Sequence, residues 1–298
     1  MTMLSRVTTG KIVKPKLILL HSIDGIGKST FASQATCPIF IGAEEGTNNL
    51  DVARTPTPET WDEVVSVLDE LATEAHPYKT LVIDTLDWLE PVLYRSICKR
   101  YNVKTIELAC GGYGKGYLEG LTEWQKLIMQ LNKCRNKGMN IILLAHSEIV
   151  KFSDPRLQAD YDRYQVKLYK KTTALFKEYV DSILFATLRT ETTTENSKVR
   201  VFGDGDRVMY TEARPGFDAK NRFSLPFELT LSWQSYCDAV KTNTIEQKPE
   251  QVYERIMGAV AGIDDKEKQK SVLDAVEKNK EDINYLLRAE KRIGEITK

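Results

Sequence analysis

The sequence predicts an α/β fold with a mostly parallel central sheet, an antiparallel hairpin at one edge and a small C-terminal helical region. Five short apolar runs, at 16–20, 38–42, 80–84, 140–145 and 182–188, have the composition of buried strands. Continuous apolar runs are typical of parallel strands, because helices cover both faces of such a sheet. Helical patterns lie between the runs, and this alternation indicates right-handed crossovers between parallel strands.

The longest helical patterns lie at 57–75 and 118–138. The first places Trp61, Val64 and Leu68 at helical spacing behind an acidic first turn. The second repeats this pattern and stops at Gly138, a residue typical of a helix C-terminus. Both segments are therefore predicted to be amphipathic helices that pack against the sheet.

The pattern changes after residue 188. β-Branched and polar residues alternate on both sides of Gly203-Asp204-Gly205, which predicts an antiparallel hairpin on the sheet edge. The apolar pattern then fades, and the organisation predicted is an α/β core over 1–240, a linker over 241–250 and a helical domain or arm over 251–298. The amphipathic pattern of this arm leaves open a partner such as a single-strand-binding protein.

Composition excludes some classes of protein. The 298 residues contain 42 basic and 42 acidic side chains, so no global charge indicates a nucleic-acid or membrane binder, although a local basic strip suffices for the former. The five cysteines form no C-x-x-C pair and there are three histidines, which argues against structural zinc and favours a reducing compartment. No signal peptide or apolar run of about 20 residues is present, so a soluble cytoplasmic protein without a membrane partner is expected.

A phosphate-binding loop is predicted where "HSIDGIGKST" joins the first strand to a helix. Backbone N–H groups of such a turn point at phosphate oxygens, the lysine reaches the β- and γ-phosphates, and the serine ligates Mg²⁺. Ser22 departs from the motif, which has glycine six residues before the lysine. The predicted nucleotide-binding residues of the loop are Ser22, Gly25, Ile26, Gly27, Lys28, Ser29 and Thr30.

Polar side chains follow three further strands. Asp84 ends "TLVID", where a carboxylate holds Mg²⁺, so Ser29 and Asp84 are the predicted metal residues. Glu44 and Glu45 follow the second strand, where one of them can orient the attacking water. Which of the two points inward depends on the pleat of the strand, which the sequence alone does not fix. His146 follows "NIILLA", where it is either a γ-phosphate sensor or a structural group.

These segments together resemble a known family over about residues 10–235. The stretches "GIGKST", "GAEEGTNNL", "TLVIDTLDWL", "CGGYGKGYLEG", "IILLAHSE" and "AKNRFSLPF" carry the resemblance. They resemble the RecA-like P-loop NTPase core, and more closely the phage-encoded RecA-like nucleotide-binding proteins of the AAA-domain type, which include the Sak group of single-strand annealing proteins. The resemblance implies ATP and Mg²⁺ as cofactors and, for a phage-encoded protein, the cytoplasm of a bacterial host.

The resemblance also implies roles for particular residues. It assigns the catalytic glutamate to Glu44, beside the catalytic Lys28, and the sensor to His146, where recombinases carry glutamine. The segment Lys220 to Phe227 resembles a basic-Asn-basic segment whose cations reach the nucleotide of the neighbouring subunit. Lys220 and Arg222 would then stabilise transition-state charge in trans, within a ring or filament of identical subunits.

Contact with single-stranded DNA is expected, by the same resemblance, from two mobile loops. The first is 110–117, where glycines surround two tyrosines and a lysine; the second is 151–171, which holds six basic and three acidic residues with interleaved aromatics. Aromatic stacking with nearby cations suits sequence-tolerant binding of single strands. The predicted DNA-binding residues are Tyr113, Lys115, Tyr117, Lys151, Arg156, Arg163, Lys167, Lys170 and Lys171.

Four functions follow from these patterns. The first is an ATP-dependent protein that binds single-stranded DNA and promotes annealing or recombination as an oligomer, with ATPase activity that DNA stimulates. The others are a small-molecule phosphotransferase, a binding module that only uses nucleotide to support its fold, and a motor or loader without annealing activity.

Overall fold

The computed structural model describes residues 7, 13–42, 46–195, 198–203, 205–244, 249–260, 266–280, 282, 285–286, 289–290 and 292–293. The chain divides into two compact units, Met1–Asp238 and Ala239–Lys298. None of the five cysteines forms a disulfide. Within the described ranges no helix combines the length and the apolar character needed to cross a membrane.

The secondary structure alternates between strands and helices up to residue 188. The strands are β1 Leu17–Ser22, β2 Pro38–Gly42, β3 Ala53–Arg54, β4 Thr80–Asp84, β5 Asn140–Phe152, β6 Tyr161–Val166, β7 Ser182–Leu188, β8 Glu191–Glu195, β9 Lys198–Phe202, β10 Arg207–Tyr210, β11 Lys220–Asn221 and β12 Glu228–Thr230. The helices are α1 Lys28–Ser33, α2 Trp61–Thr73, α3 Leu86–Arg100, α4 Lys115–Asn136, α5 Lys170–Tyr179, α6 Trp233–Thr244, α7 Pro249–Val260 and α8 Lys266–Lys278. A short 3-10 helix covers Ile106–Gly111.

The central sheet is mostly parallel, as the apolar runs predict. Its strand order is β12-β10-β7-β1-β5-β4-β2-β3, in which β7, β1, β5, β4, β2 and β3 are mutually parallel. Strands β10 and β12 add antiparallel pairs beyond β7. The predicted mostly parallel sheet with an antiparallel edge is therefore confirmed.

The antiparallel edge is built differently from the predicted hairpin. Strands β8 and β9 pair with each other in a separate two-stranded sheet, whereas β10 pairs with β7 in the central sheet. Gly203 and Gly205 therefore connect two sheets and do not form the turn of a hairpin; Asp204 lies outside the described residues. The prediction of a hairpin around these glycines is wrong, because turn residues mark a change of direction without specifying which strands pair.

Helices α2 to α5 cover one face of the sheet. Leu17, Leu19 and Ile141 of the central strands share a core with Trp61 and Trp124, whose rings meet edge to face at 5.1 Å. Alternate strand residues face the other side, where Phe31 of α1 meets Trp233 of α6 edge to face at 5.9 Å between ring centroids. Both faces are thus covered, which explains why the central strands are continuously apolar.

The parallel register brings the functional strand ends to one edge of the sheet. Ser22 lies opposite His146 on one side and opposite Ala186 on the other. Gly42, which ends β2, lies opposite Asp84. Parallel strands present their C-terminal ends together, and ligands of open α/β sheets bind at such an edge.

The C-terminal unit contains α7 and α8 and has its own small core. Ile256, Val260 and Val276 are buried there with Leu286 and Ile293. In the segment predicted as a linker over 241–250, α6 continues to Thr244 and α7 begins at Pro249, while 245–248 lie outside the described residues.

Candidate functional site

The phosphate loop connects β1 to α1 and requires glycine at its last position. Gly27 has φ of 106°, in the left-handed region that side chains with a Cβ rarely adopt. Lys28 is buried, and its Nζ lies 3.3 Å from both Ser22 Oγ and the Ile23 carbonyl oxygen. Ser22, the departure from the motif, therefore contacts the lysine that the motif supplies for phosphate.

A cavity of about 620 Å³ opens at this loop. The predicted residues Gly25, Gly27 and Thr30 line it, whereas Ile26 is buried. Its wall also contains Lys28, Ser29, Trp88, His146, Lys167 and Arg207. Of these, Lys167 was predicted to bind DNA, and neither Trp88 nor Arg207 was predicted as a site residue.

Ser29 and Asp84 form the pair predicted to hold Mg²⁺. The Ser29 hydroxyl donates to Asp84 Oδ2 at 2.7 Å, and Asp84 Oδ1 is buried without a hydrogen-bond partner among the described residues. Burial raises the pKa of the Asp84 carboxyl, although the Ser29 hydroxyl and the Lys28 charge act to lower it. A buried carboxylate oxygen without a partner, next to a hydroxyl, fits the oxygen ligands that Mg²⁺ prefers.

His146 is held between two carboxylates. Its backbone N–H donates to Asp87 Oδ1 at 2.9 Å, and its ring Nδ1 lies 2.8 Å from Asp87 Oδ2. Its Nε2 lies 3.1 Å from Oδ1 of Asp24, a residue of the phosphate loop. The bond to Asp87 raises the pKa of His146 above its ordinary value, against the effect of burial. Strand β5 is thus tied to the phosphate loop through this ring.

A second histidine lies behind the loop in a different environment. His21 is fully buried, with Nδ1 at 2.9 Å from Ser147 Oγ and Nε2 at 2.8 Å from the Asp218 carbonyl oxygen. Burial lowers the pKa of His21 to about 4. The ring is therefore neutral near pH 7 and serves to join β1 to two neighbouring segments.

The predicted catalytic residues outside the loop fall into two groups. Glu44 and its neighbour Glu45 lie outside the described residues. Lys220 and Arg222 lie at the opposite edge of the sheet, because Lys220 pairs with Ile183 near the start of β7. The structure therefore keeps these two cations away from the phosphate loop of their own chain.

Lys220 and Arg222 contact the C-terminal end of α5. The Lys220 ammonium donates to the carbonyl oxygens of Lys177 and Val180, at 3.0 Å for the latter. Arg222 lies 3.3 Å from an Asp181 carboxylate oxygen and donates to the Glu178 carbonyl oxygen at 2.9 Å. Cations at a helix C-terminus stabilise its unpaired carbonyls. Within one chain the two residues thus have a structural role.

The first predicted DNA segment is only partly open to solvent. Tyr113 is 98% exposed, and the exposed Lys115 begins α4. Tyr117 instead donates to Glu107 and stacks on Tyr169, with ring centroids 4.7 Å apart. Tyr113 and Lys115 are therefore accessible to a base and a phosphate, whereas Tyr117 is engaged in packing.

One glycine of this segment has a packing role. A Cβ built on Gly116 would lie 2.0 Å from the Ile106 carbonyl oxygen, so α4 approaches the 3-10 helix closely there. The glycines of this segment predict mobility, but at this position the missing side chain permits contact between two backbones.

The second predicted DNA segment is a β-hairpin and a helix start, where a mobile loop was expected. Ser147–Phe152 of β5 pair antiparallel with β6, and α5 begins at Lys170. Lys151, Lys170 and Lys171 are exposed, and the 86% exposed Arg156 side chain pairs with Asp154 at 2.7 Å. The loop was expected because its many charges hide the alternation of a strand.

Two cations of this segment are placed elsewhere. Arg163 is 15% exposed and pairs with Asp218 at 3.2 Å, with its guanidinium 4.9 Å from the centroid of the Phe152 ring. Lys167 lines the cavity at the phosphate loop. Fewer basic residues of this segment are therefore available to DNA than the sequence predicts.

The sequence patterns do not mark Asp24, Asp87, Trp88 or Arg207 as site residues. Asp87 carries a local signal, since it lies three residues after Asp84 in the first turn of a helix that follows a strand. Arg207 has no such signal, because only the pairing of β10 with β7 brings it to the phosphate loop.

Known proteins match this chain in three comparisons. A family model described as AAA domain matches residues 14–223. The chain is 24% identical over 142 residues to the SPbeta prophage-derived uncharacterized protein YorG of Bacillus subtilis (strain 168), which covers 46% of this chain and 42% of that protein. The match thus spans less than half of the length of that relative.

Two solved structures show a distant likeness. One is the flagellar accessory protein FlaH of Methanocaldococcus jannaschii, with a TM-score of 0.34 and 10% identity over 74% of this chain and 86% of that chain. The other is the KaiC-like protein PH0186 of Pyrococcus horikoshii OT3, with a TM-score of 0.34 and 14% identity over 69% of this chain and 84% of that chain.

Proposed function

This chain belongs to the AAA domain family, and from that premise we propose that it is a Mg²⁺-dependent ATPase that binds single-stranded DNA and promotes annealing or homologous recombination as an oligomer. The observation that carries the ATPase part is the contact of 2.7 Å between Ser29 and Asp84 beside the buried Lys28. A lysine, a hydroxyl and a carboxylate at one edge of a parallel sheet are the groups that hold a metal-bound triphosphate.

The proposed reaction is hydrolysis of the terminal phosphate. The oxygen of water bonds to the γ-phosphorus while the bond from that phosphorus to the bridging oxygen breaks, which yields ADP and inorganic phosphate. Lys28 binds the β- and γ-phosphate oxygens, and Glu44 takes the proton of the attacking water. Mg²⁺ held by Ser29 and Asp84 would neutralise charge on the same phosphates.

Coupling to DNA is proposed to run through β5. This strand passes from the buried core to His146 at the phosphate edge and continues into the hairpin that carries Lys151. A terminal phosphate that displaces Asp24 from His146 would change the contacts at the base of the hairpin. Tyr113 and Lys115 offer a second surface, where a base can stack and a phosphate can pair.

Oligomerisation is proposed because Lys220 and Arg222 lie far from the loop of their own chain. A contact between these cations and a nucleotide therefore has to involve a neighbouring subunit, which a ring or filament supplies. The prophage origin given in the name of YorG supports a phage-encoded protein.

The proposal is tested by ATP turnover with and without single-stranded DNA, by annealing of complementary strands, and by sizing with a non-hydrolysable analogue. We expect DNA to stimulate turnover, ATP to promote annealing, and both effects to disappear in Lys28→Ala. Transfer of phosphate to a nucleotide acceptor in place of water would support a phosphotransferase. The coupling would be refuted if DNA did not change ATP turnover and ATP did not change annealing.

A further inference from the structure

Two cations outside the phosphate loop line its cavity. Lys167 follows β6, and Arg207 begins β10, some 180 residues after the loop. Both side chains are exposed, and in the described part of the chain neither makes a side-chain hydrogen bond or ion pair. Positive groups without protein partners in a phosphate cavity are available to an anionic ligand.

Strand topology explains the position of Arg207. Strand β10 runs antiparallel to β7, so its first residue lies at the edge where the parallel strands end, with Arg207 opposite Leu188. Its Nη1 would lie 3.2 Å from a Cβ built on Gly27. The guanidinium therefore lies directly over the phosphate loop, in space that the glycine leaves open.

A different arginine binds the acidic side chain next to Arg207 in the sequence. Arg189 pairs with Asp206 at 2.8 Å and also with Glu228. Asp206 directly precedes Arg207 in the chain, so this ion pair occupies the carboxylate adjacent to Arg207 in sequence. Arg207 is thereby kept for a ligand.

Lys167 is fixed on the other side of the loop. Its backbone N–H donates to the His146 carbonyl oxygen at 2.9 Å, which places it beside β5. In the sheet order, β5 and β4 lie on one side of β1, and β7 and β10 lie on the other. Lys167 and Arg207 therefore stand on opposite sides of the phosphate loop.

The direction of the bound phosphate chain follows from the metal pair. Mg²⁺ bridges β- and γ-phosphate oxygens in nucleoside triphosphatases. Because Asp84 ends β4, a terminal phosphate whose metal is held by Ser29 and Asp84 would lie towards β4 and β5, and the nucleoside end would then lie towards β7 and β10. In that orientation Lys167 would face the terminal phosphate and Arg207 the nucleoside end.

We propose that Lys167 and Arg207 bracket the phosphate chain of a nucleoside triphosphate within one subunit, with Lys167 on the γ-phosphate and Arg207 on the phosphates nearest the nucleoside. This inference rests on the proposed function, because it concerns the same nucleotide site. It assigns Lys167 to the nucleotide and not to DNA, and it supplies cations in cis in addition to any that a neighbour provides.

The test compares the affinities of the full-length chain for ADP and for a non-hydrolysable ATP analogue, by calorimetry. Lys167→Ala should lower the affinity for the analogue about tenfold and change the affinity for ADP by no more than about twofold, because a charge-assisted contact to the γ-phosphate is lost. Arg207→Ala should lower the affinities for both ligands about equally, by about tenfold. Lys167→Arg and Arg207→Lys should restore part of each loss, and Arg95→Ala, an exposed arginine of α3, should change neither affinity.

The outcomes separate this inference from the proposed function. Equal weakening of both ligands by Lys167→Ala, or selective weakening of the triphosphate by Arg207→Ala, overturns the assignment, as does no change in either variant. Binding of the analogue does not require hydrolysis, so a wild-type chain that binds both ligands without ATP turnover refutes the proposed ATPase alone. Thermal unfolding of each variant checks that the fold is kept.

A mixing experiment tests whether Lys167 acts within its own subunit. Lys28→Ala and Lys167→Ala chains are combined, and ATP turnover is compared with the sum of the separate rates. Action in cis predicts a rate no higher than that sum, because no subunit holds both lysines. A rate well above the sum overturns the cis assignment.

Discussion

Asp87 holds His146 through both oxygens of one carboxylate, at 2.9 Å to the backbone nitrogen and 2.8 Å to the ring Nδ1. The backbone bond fixes the strand and the ring bond fixes the side chain, so Nε2 is directed at Asp24 of the phosphate loop, 3.1 Å away. Nucleotide entering the cavity meets a histidine whose orientation is already determined.

The first prediction concerns the titration of the two site histidines. Because the hydrogen bond to Asp87 raises the pKa of His146, its ring should titrate above pH 6.5 in NMR spectra, whereas His21 should titrate near pH 4. Asp87→Asn should lower the pKa of His146 and leave that of His21 in place. Asp69→Asn, an exposed carboxylate of α2, should alter neither, and a wild-type His146 that titrates below pH 6.5 would contradict the assignment.

The same pair makes stability depend on pH. The raised pKa of His146 means that its contribution is fully present below the unfolded-state pKa and is lost as pH rises through the folded pKa. Burial acts to raise the pKa of Asp87, but the hydrogen bonds from His146 outweigh burial and lower this pKa. The stability that Asp87 contributes is therefore lost as pH falls through its folded-state pKa. Asp87→Asn should therefore lower the free energy of unfolding most, by about 1.5–3 kcal/mol, at pH values between the folded-state pKa of Asp87 and that of His146. Denaturant unfolding of both proteins from pH 3 to pH 9, in steps of about one unit, measures the difference.

The second prediction is that Ser22→Gly weakens the fold more than it weakens catalysis. Ser22 is buried and its hydroxyl contacts Lys28 Nζ at 3.3 Å and donates to the Ile23 carbonyl oxygen at 2.7 Å. Losing these bonds and gaining backbone freedom should cost about 1–2 kcal/mol of unfolding free energy. ATP turnover should stay within about threefold, whereas Lys28→Ala should lower it at least about a hundredfold. A loss in Ser22→Gly as large as that of Lys28→Ala would show that the hydroxyl is required.

The sheet could be predicted from sequence because each buried strand is a local apolar run. The phosphate loop and Asp84 could be predicted too, since each directly follows such a run and parallel strands end at one edge. The position of Arg207 depends on which strand β10 joins, and that pairing leaves no local pattern. Arg163 was counted towards DNA because a charge in sequence carries no sign of its buried partner, Asp218.

The third prediction separates metal binding from stability at Asp84. Asp84→Asn should lower the affinity for Mg²⁺-ATP by at least about tenfold and leave metal-free ATP binding largely unchanged. The pKa of Asp84 is raised by burial, so its ionised form costs stability at neutral pH, where the unfolded chain carries the charge in water. The neutral asparagine should therefore raise the melting temperature of the metal-free chain. A lower melting temperature would indicate that the Ser29 contact outweighs burial.

The fourth prediction distinguishes two tyrosines of the glycine-rich segment. Tyr113→Ala should weaken binding of single-stranded DNA by about 1–3 kcal/mol, the usual value of one stacked base. It should leave the melting temperature unchanged, because the ring is almost fully exposed. Tyr117→Ala should lower the melting temperature, because it loses the stack on Tyr169 and the bond to Glu107. Fluorescence anisotropy of a labelled oligonucleotide measures the affinity. Unchanged affinity in Tyr113→Ala would remove this segment from the DNA surface.

The fifth prediction uses the chain's own fluorescence to report on the cavity. Of the four tryptophans, Trp61 and Trp124 are buried in the core and Trp233 is 6% exposed, whereas Trp88 is 52% exposed and lines the cavity. Nucleotide should therefore change the emission of Trp88 and leave that of the others constant. Trp88→Phe should abolish the change while calorimetry still measures affinity, and Trp233→Phe should keep it. A change that survives Trp88→Phe would mean that nucleotide alters the core, so that the signal arises from a conformational response and not from contact with the ligand.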